Sequence, residues 1–131
     1  MASFALSACG GSLPEPELGR HRPTDFSEVP YPPPAALVET VPPRPDDRAV
    51  WVDGYWEFAQ DSYVWRRGGW MHAPAGARMA PWAARYTPDG RLLFAKTIWF
   101  DARGEPLPDP EALRAAYTPP NEITGEFQAP R

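Results

Sequence analysis

From Arg48 onward, hydrophobic positions gather into short runs rich in Val, Trp, Tyr and Phe: RAVWVDGYWEF (48–58), SYVWRRGGWMH (62–72), WAARYT (82–87) and RLLFAKTIWF (91–100). β-Branched and aromatic side chains lose freedom in a helix but fit a pleated surface, so these runs predict strands. Between them lie Ala59-Gln60-Asp61-Ser62 and Pro88-Asp89-Gly90, both turn-forming, and Asp101 to Gly104, which closes the last strand. Residues 73–81 (APAGARMAP) predict a loop. Upstream, residues 13–34 follow neither period 2 nor period 3.6 and predict a linker. Within the next segment, AALVETV (35–41) suggests a short edge strand before PPRPDD interrupts it. The one good helix signal is DPEALRAAY (109–117), with Asp109 as N-cap, Pro110 at the first helical position, Glu111 favouring the dipole, and Pro119-Pro120 as stop. Glu122 to Phe127 adds a further short strand or is tail.

Inside the first two runs the form Trp-x-x-Gly-x-Trp occurs twice, as Trp51, Gly54, Trp56 and as Trp65, Gly68, Trp70, offset by fourteen positions. The segments 48–58 and 62–72 therefore predict one long antiparallel hairpin whose strands repeat each other. In an unbroken strand, positions five apart point to opposite faces. A bulge at Gly54 and another at Gly68 advances the phase by one, and glycine accepts the positive φ that such a bulge uses. Trp51, Trp56, Phe58, Tyr63, Trp65 and Trp70 then share a face, with Val50, Val52, Tyr55, Val64 and Arg66 on the other. The alternative is that Asp53-Gly54 is itself a two-residue turn. Phe94 and Trp99 again stand five apart, without the glycine.

Composition narrows the architecture. Ten of the 19 prolines fall between Gly10 and Asp47, which predicts a disordered Pro-rich arm over 10–47 and a compact body over 48–131. So small a body has a thin core that its aromatic residues must fill. The expected fold is a small antiparallel β-meander of four to six strands with one short C-terminal helix. The net charge of −4, with basic residues spread along the chain, argues against a nucleic-acid partner. No apolar run approaches the ~20 residues of a spanning helix. A lone cysteine, Cys9, allows no internal disulfide and no Cys-based metal site.

The start, MASFALSACGGS, places Leu6-Ser7-Ala8 before Cys9 and resembles the lipobox of bacterial lipoproteins. That resemblance implies cleavage before Cys9, lipidation of its thiol and attachment to a membrane, with Gly10 favouring the outer membrane of a Gram-negative cell. Only eight residues precede Cys9 and none is basic, shorter than a basic n-region plus an apolar h-region. Either a start upstream of Met1 or an incidental thiol at Cys9 accounts for that. The stretches PPPAALVETVPPRPDDRAVWVDGYW and YVWRRGGW, within residues 32–70, resemble the WxxGxW (YxWGxW) repeat family of Gram-negative envelope proteins. Members more often carry Pro before the motif glycine, where this chain has Asp53 and Arg67. The resemblance implies a β-rich envelope protein and no particular reaction; residues 71–131 have no part in it.

Candidate chemistry is sparse. Trp51, Trp56, Trp65 and Trp70 form a tentative aromatic face for glycan or peptidoglycan, or else they are the core. His21 and His72 are the only histidines, and neither has a second ligand at a recognisable spacing, so no metal site or cofactor is expected. Asp46, Asp47, Asp53, Glu57 and Asp61 are scattered and suit turns or caps better than a catalytic pair. The expectation is a non-enzymatic envelope protein that is structural or binds other envelope proteins, with glycan binding as the alternative. An edge strand open to another protein's strand is one route to such an interaction.

Overall fold

A computed structural model of the chain describes residues 13–110 together with Leu113. It is mainly β, with antiparallel pairing between all named strands. After a single 3-10 turn at Pro23–Asp25 comes β1 (Ser27–Glu28). A first hairpin follows: β2 (Ala49–Val52), β3 (Tyr55–Ala59), β4 (Ser62–Arg66) and β5 (Gly69–His72). A second comprises β6 (Arg78–Ala80), β7 (Ala83–Tyr86), β8 (Leu92–Ala95) and β9 (Ile98–Phe100), and β10 (Pro106–Leu107) closes the series.

Both hairpins are long ribbons broken in the middle. In the first, pairing runs from Ala49↔His72 to Val52↔Gly69 and resumes from Tyr55↔Arg66 to Ala59↔Ser62. Asp53-Gly54 drops out of one strand and Arg67-Gly68 out of the other, so the register does not slip. In the second, pairing runs from Arg78↔Phe100 to Ala80↔Ile98 and resumes from Ala83↔Ala95 to Tyr86↔Leu92. Pro81-Trp82 and Lys96-Thr97 drop out there, again without a slip. The fourteen-residue repeat was legible because of its tryptophans; the second broken ribbon carries no such signature. Arg78 to Ala80, expected as loop, is a strand because it lies opposite Ile98 to Phe100. In place of the expected four to six strands the described residues form ten short ones: four long strands each cut in two, with β1 and β10 besides.

The turns follow the expected chemistry. Gln60 and Asp61 both have positive φ (52° and 65°), closing β3 onto β4 with the two-residue geometry whose twist matches the strands. Gly90 and Gly104 (φ 86° and 81°) end two loops of the same construction. In each, the first residue donates to the carbonyl four positions on, Thr87 to Arg91 and Asp101 to Glu105 (2.8 Å each), and the glycine donates back. L-residues with side chains rarely adopt that φ, so glycine is required at both.

The core is three clusters. One joins Trp56 and Tyr63 of the first ribbon to Leu92 and Phe94 of the second, with Val29. Another joins Val52 to Met79 and Trp99. The third holds Ala49, Trp51 and Trp70, against which Val41 and Leu113 pack. Aromatic rings supply most of the bulk of the first and third, as a thin core requires.

The described part of the expected arm, from Leu13, is laid on this body and does not hang free. The Pro14 carbonyl accepts from Trp51 N–H (2.7 Å), the Glu17 carbonyl from Met79 N–H (2.8 Å), and Gly19 N–H donates to the Met79 carbonyl (2.8 Å), so this segment ties the two ribbons together. Beyond β1, which pairs with β8, residues 32–45 form no regular element, and the short strand expected at 35–41 is absent. Its backbone is instead engaged singly: the carbonyls of Tyr31, Ala35 and Pro42 accept from the Tyr63 hydroxyl (2.8 Å), Trp56 Nε1 (3.1 Å) and Trp70 Nε1 (2.8 Å). Prolines deprive the segment of N–H donors for a ladder but leave its carbonyls free to accept. The helix expected at 109–117 lies largely outside the described residues; Leu113 donates its N–H to the Trp70 carbonyl (2.8 Å).

Candidate functional site

The motif tryptophans sort into two facing pairs. Trp51 lies opposite Trp70 and Trp56 opposite Trp65. Each pair is edge-to-face, with centroids 5.5 and 5.1 Å apart and planes at 69° in both, the arrangement that ring quadrupoles favour. The pairs belong to different core clusters, and the same upstream segment covers both: Leu37 packs against the cluster of Trp56 and Trp65, and Val41 against that of Trp51 and Trp70. Trp51, Trp56 and Trp70 are buried (6%, 2% and 5% exposed), and Trp65 is half-buried. Their indole nitrogens point to protein acceptors: Trp51 Nε1 donates to Asp53 Oδ1 (2.8 Å), and Trp56 and Trp70 donate to the 31–42 backbone. Trp65 Nε1 is buried with no acceptor among the described residues.

The glycines serve the tryptophans, though not through a positive φ, which neither Gly54 nor Gly68 has. Equal interruptions of the two strands leave the register unslipped. What each needs is the absence of a Cβ. A Cβ on Gly54 would stand 2.5 Å from Trp65 Cζ2 and 2.9 Å from the Arg66 carbonyl oxygen; one on Gly68 would stand 2.7 Å from the Val52 carbonyl oxygen and 3.0 Å from Trp51 Cζ2. The first Trp of each copy thus covers the glycine of the other copy. Glu39, from the segment upstream, enters the same break and accepts Gly68 N–H at Oε1 (2.9 Å). A backbone donor released by the broken ladder is thereby satisfied. In the second ribbon Trp82 N–H donates to Thr97 Oγ1 (3.1 Å).

Where the two breaks face each other lies a cavity of about 350 Å³, lined in part by Tyr55, Glu57, Arg66, Lys96, Thr97 and Asp109. Glu57 is held by Arg66 and by Lys96 Nζ (3.4 Å). Burial pushes the Glu57 carboxyl up, but the Arg66 hydrogen bond and the charges of Lys96 and Arg66 outweigh it, so its pKa lies below the ordinary carboxylate value. Asp109 moves the other way: burial raises it, and the Glu57 charge adds to the rise against Lys96 and Arg66. The Tyr55 hydroxyl is pushed up to about 12 by burial and then by the Asp109 and Glu57 charges. Two carboxyls with diverging pKa values can mark an acid–base pair. Here the ionised one is engaged by two cations, and no Ser, Cys or His nucleophile lines the cavity. The arrangement suits hydrogen bonding to a bound group better than proton shuttling.

The histidines are apart from this cavity. His72 Nε2 lies 2.6 Å from Asp46 Oδ2 at the base of the first ribbon, a pairing of residues 26 apart that no spacing signalled. His21 Nε2 lies 2.6 Å from the Pro81 carbonyl, with Asp25 3.9 Å from its other nitrogen. Among the described residues no cluster of three His, Cys, Asp or Glu side chains fits a metal ion, and no helix is long and apolar enough to cross a membrane. Cys9 lies outside the described residues.

The exposed aromatics are elsewhere. β7 has a single neighbour, β8, and its other edge is open among the described residues. Trp82 just before it is 39% exposed and Tyr86 at its end 67%. Sequence reasoning missed this edge because Ala83 to Tyr86 was one of several equivalent strand signals, and only the topology says which lies outermost. No family model, curated protein or solved structure matches the chain.

Proposed function

We propose that the protein is a non-enzymatic component of a bacterial envelope, lipid-anchored at Cys9 to the outer membrane, that acts structurally or by binding other envelope proteins. The observation that carries the interaction is the open β7 edge, flanked by Trp82 and Tyr86: unpaired backbone groups beside exposed aromatic rings are what an added strand uses. The anchor and address rest on the lipobox-like MASFALSACGGS and on the paired Trp-x-x-Gly-x-Trp motif. Burial of Trp51, Trp56 and Trp70 speaks for a core role of the motif over a sugar platform. A glycan alternative would have to use Trp82 and Tyr86.

The test is co-purification from membranes of the full chain and of Ala84→Lys, which puts a charge on the exposed edge. Recovery of envelope proteins with the unsubstituted chain, lost in Ala84→Lys and resistant to cell-wall fragments, supports the proposal. A tryptophan fluorescence response to cell-wall fragments that Trp82→Ala removes, with no protein recovered, favours the glycan alternative. Fatty-acid labelling that persists in Cys9→Ser refutes the anchor.

A further inference from the structure

A second, larger concavity shares no lining residue with the first: a groove of about 730 Å³ between the segment around Leu18 to Arg22 and the loops at Gly76 and at Asp101 to Gly104. Four of its lining residues are arginines, Arg20, Arg22, Arg78 and Arg103, in a chain whose net charge is −4. Two are balanced. Arg22 pairs with Asp25 (2.8 Å), and Arg78 with Glu17 (3.4 Å). The groove's remaining carboxylate, Asp101, is committed to its own loop, where Oδ1 accepts the N–H of Arg103 (2.8 Å) and Glu105 (3.0 Å). Arg20 and Arg103 have no ion-pair or hydrogen-bond partner for their guanidinium groups among the described residues. Two guanidinium groups are therefore free in a groove whose four arginines face three carboxylates, Glu17, Asp25 and Asp101. Its wall at Gly104 is bare, with nothing within 4 Å of where a Cβ would stand, and its rim carries Leu18, 56% exposed.

Guanidinium groups match the planar oxygens of a phosphate and are less tightly hydrated than ammonium, so they can be desolvated against one. The exposed Leu18 beside them offers an apolar contact of its own. A phosphate next to hydrocarbon is the boundary of a membrane leaflet. We propose that this groove docks the protein on an anionic phospholipid surface, Arg20 and Arg103 engaging headgroup phosphate while Leu18 enters the acyl boundary. The contact stands independently of any lipid on Cys9. It would fix which face of the domain meets the bilayer.

The test uses the full chain as Cys9→Ser, so that no acyl chain contributes, and flotation with vesicles of phosphatidylcholine alone or mixed with phosphatidylglycerol. Binding is expected only to the mixed vesicles, although the protein is itself acidic. At roughly 1 kcal/mol per basic residue near an anionic surface, Arg20→Gln with Arg103→Gln should weaken partitioning about thirtyfold. Arg48→Gln with Arg91→Gln, the same charge change outside the groove, should weaken it less than about threefold, since long-range charge is screened within a Debye length. Leu18→Ser should weaken it about fivefold. No binding to the mixed vesicles, equal binding to both kinds, or equal losses in the two double variants would overturn the proposal. So would protection of the groove by inorganic phosphate without vesicle binding, which would make it a site for a soluble anion. Unchanged thermal midpoints of the variants keep loss of fold out of the comparison.

Discussion

In the first ribbon the ladder break is filled from outside: each glycine lies under a tryptophan of the opposite strand, and Glu39, fifteen residues before Gly54, supplies the acceptor for Gly68 N–H. In the second ribbon the break is filled partly from within and partly by His21, whose Nε2 lies against the Pro81 carbonyl. Pro81 has no N–H to satisfy, and the buried hydroxyl of Thr97 accepts from Trp82. Both solve the same problem, that two residues leaving each strand of a ladder free backbone groups that must find partners. The first solution takes its acceptor from Glu39 of the upstream segment, whereas the acceptor of the second, Thr97, lies in the break itself.

Substitutions can break this contrast. The largest effect is expected from Gly54→Ala, whose Cβ meets the Trp65 ring and a backbone carbonyl; about 3 kcal/mol should be lost in urea unfolding, with Trp65 emission altered. Thr97→Val keeps shape and removes the acceptor, leaving Trp82 N–H unpaired, for about 2 kcal/mol. Glu39→Ala removes the acceptor of Gly68 N–H and should cost about 1 kcal/mol. Because the two breaks are separate, Glu39→Ala and Thr97→Val should be additive, whereas Glu39→Ala and Gly54→Ala should not, and a double-mutant cycle reads the difference.

The smallest effects are electrostatic and have opposite signs within the cavity between the breaks. Glu57, held below its ordinary value of 4.5, contributes stability that is present above that pH and is lost as pH falls through its lower native pKa. Glu57→Gln should therefore flatten the acid limb of a stability–pH profile. Asp109, raised above 3.8, loses stability as pH rises through that range, so Asp109→Asn should be slightly more stable at neutral pH. Finding the same sign for both would refute the placement of the two carboxyls in one field.

Much of the strand layout was legible because β-branched and aromatic runs and the turns at Gln60-Asp61, Gly90 and Gly104 are local signals. The reason for the motif was only half legible. Spacing pointed to a device at Gly54 and Gly68 serving the tryptophans, but a glycine kept for its φ and one kept for its missing Cβ give the same letters, and only the packed rings tell them apart. The break at Pro81-Trp82 and Lys96-Thr97 was hidden, since its parts are ordinary residues in other contexts. The proline-dense segment looked like a tether because composition reports what a chain cannot do, here form a ladder, and says nothing of the acceptors it still offers. His72 with Asp46, and the arginines of the groove, are assembled by topology from positions that are far apart in the chain.

The three carbonyls of Tyr31, Ala35 and Pro42 are the holds by which aromatic hydroxyl and indole groups grip the upstream segment. A hold on a carbonyl is indifferent to the side chain beside it. The segment is thus recognised as a ruler, by the distance between marks and not by the letters printed on it. Apart from Glu39, which the first break needs, and Leu37 and Val41, which pack on the core clusters, its letters are free to drift while its length is not. Inserting or deleting one residue between Ala35 and Pro42 should be tolerated less well than replacing the outward-facing Val38 there, which is 94% exposed.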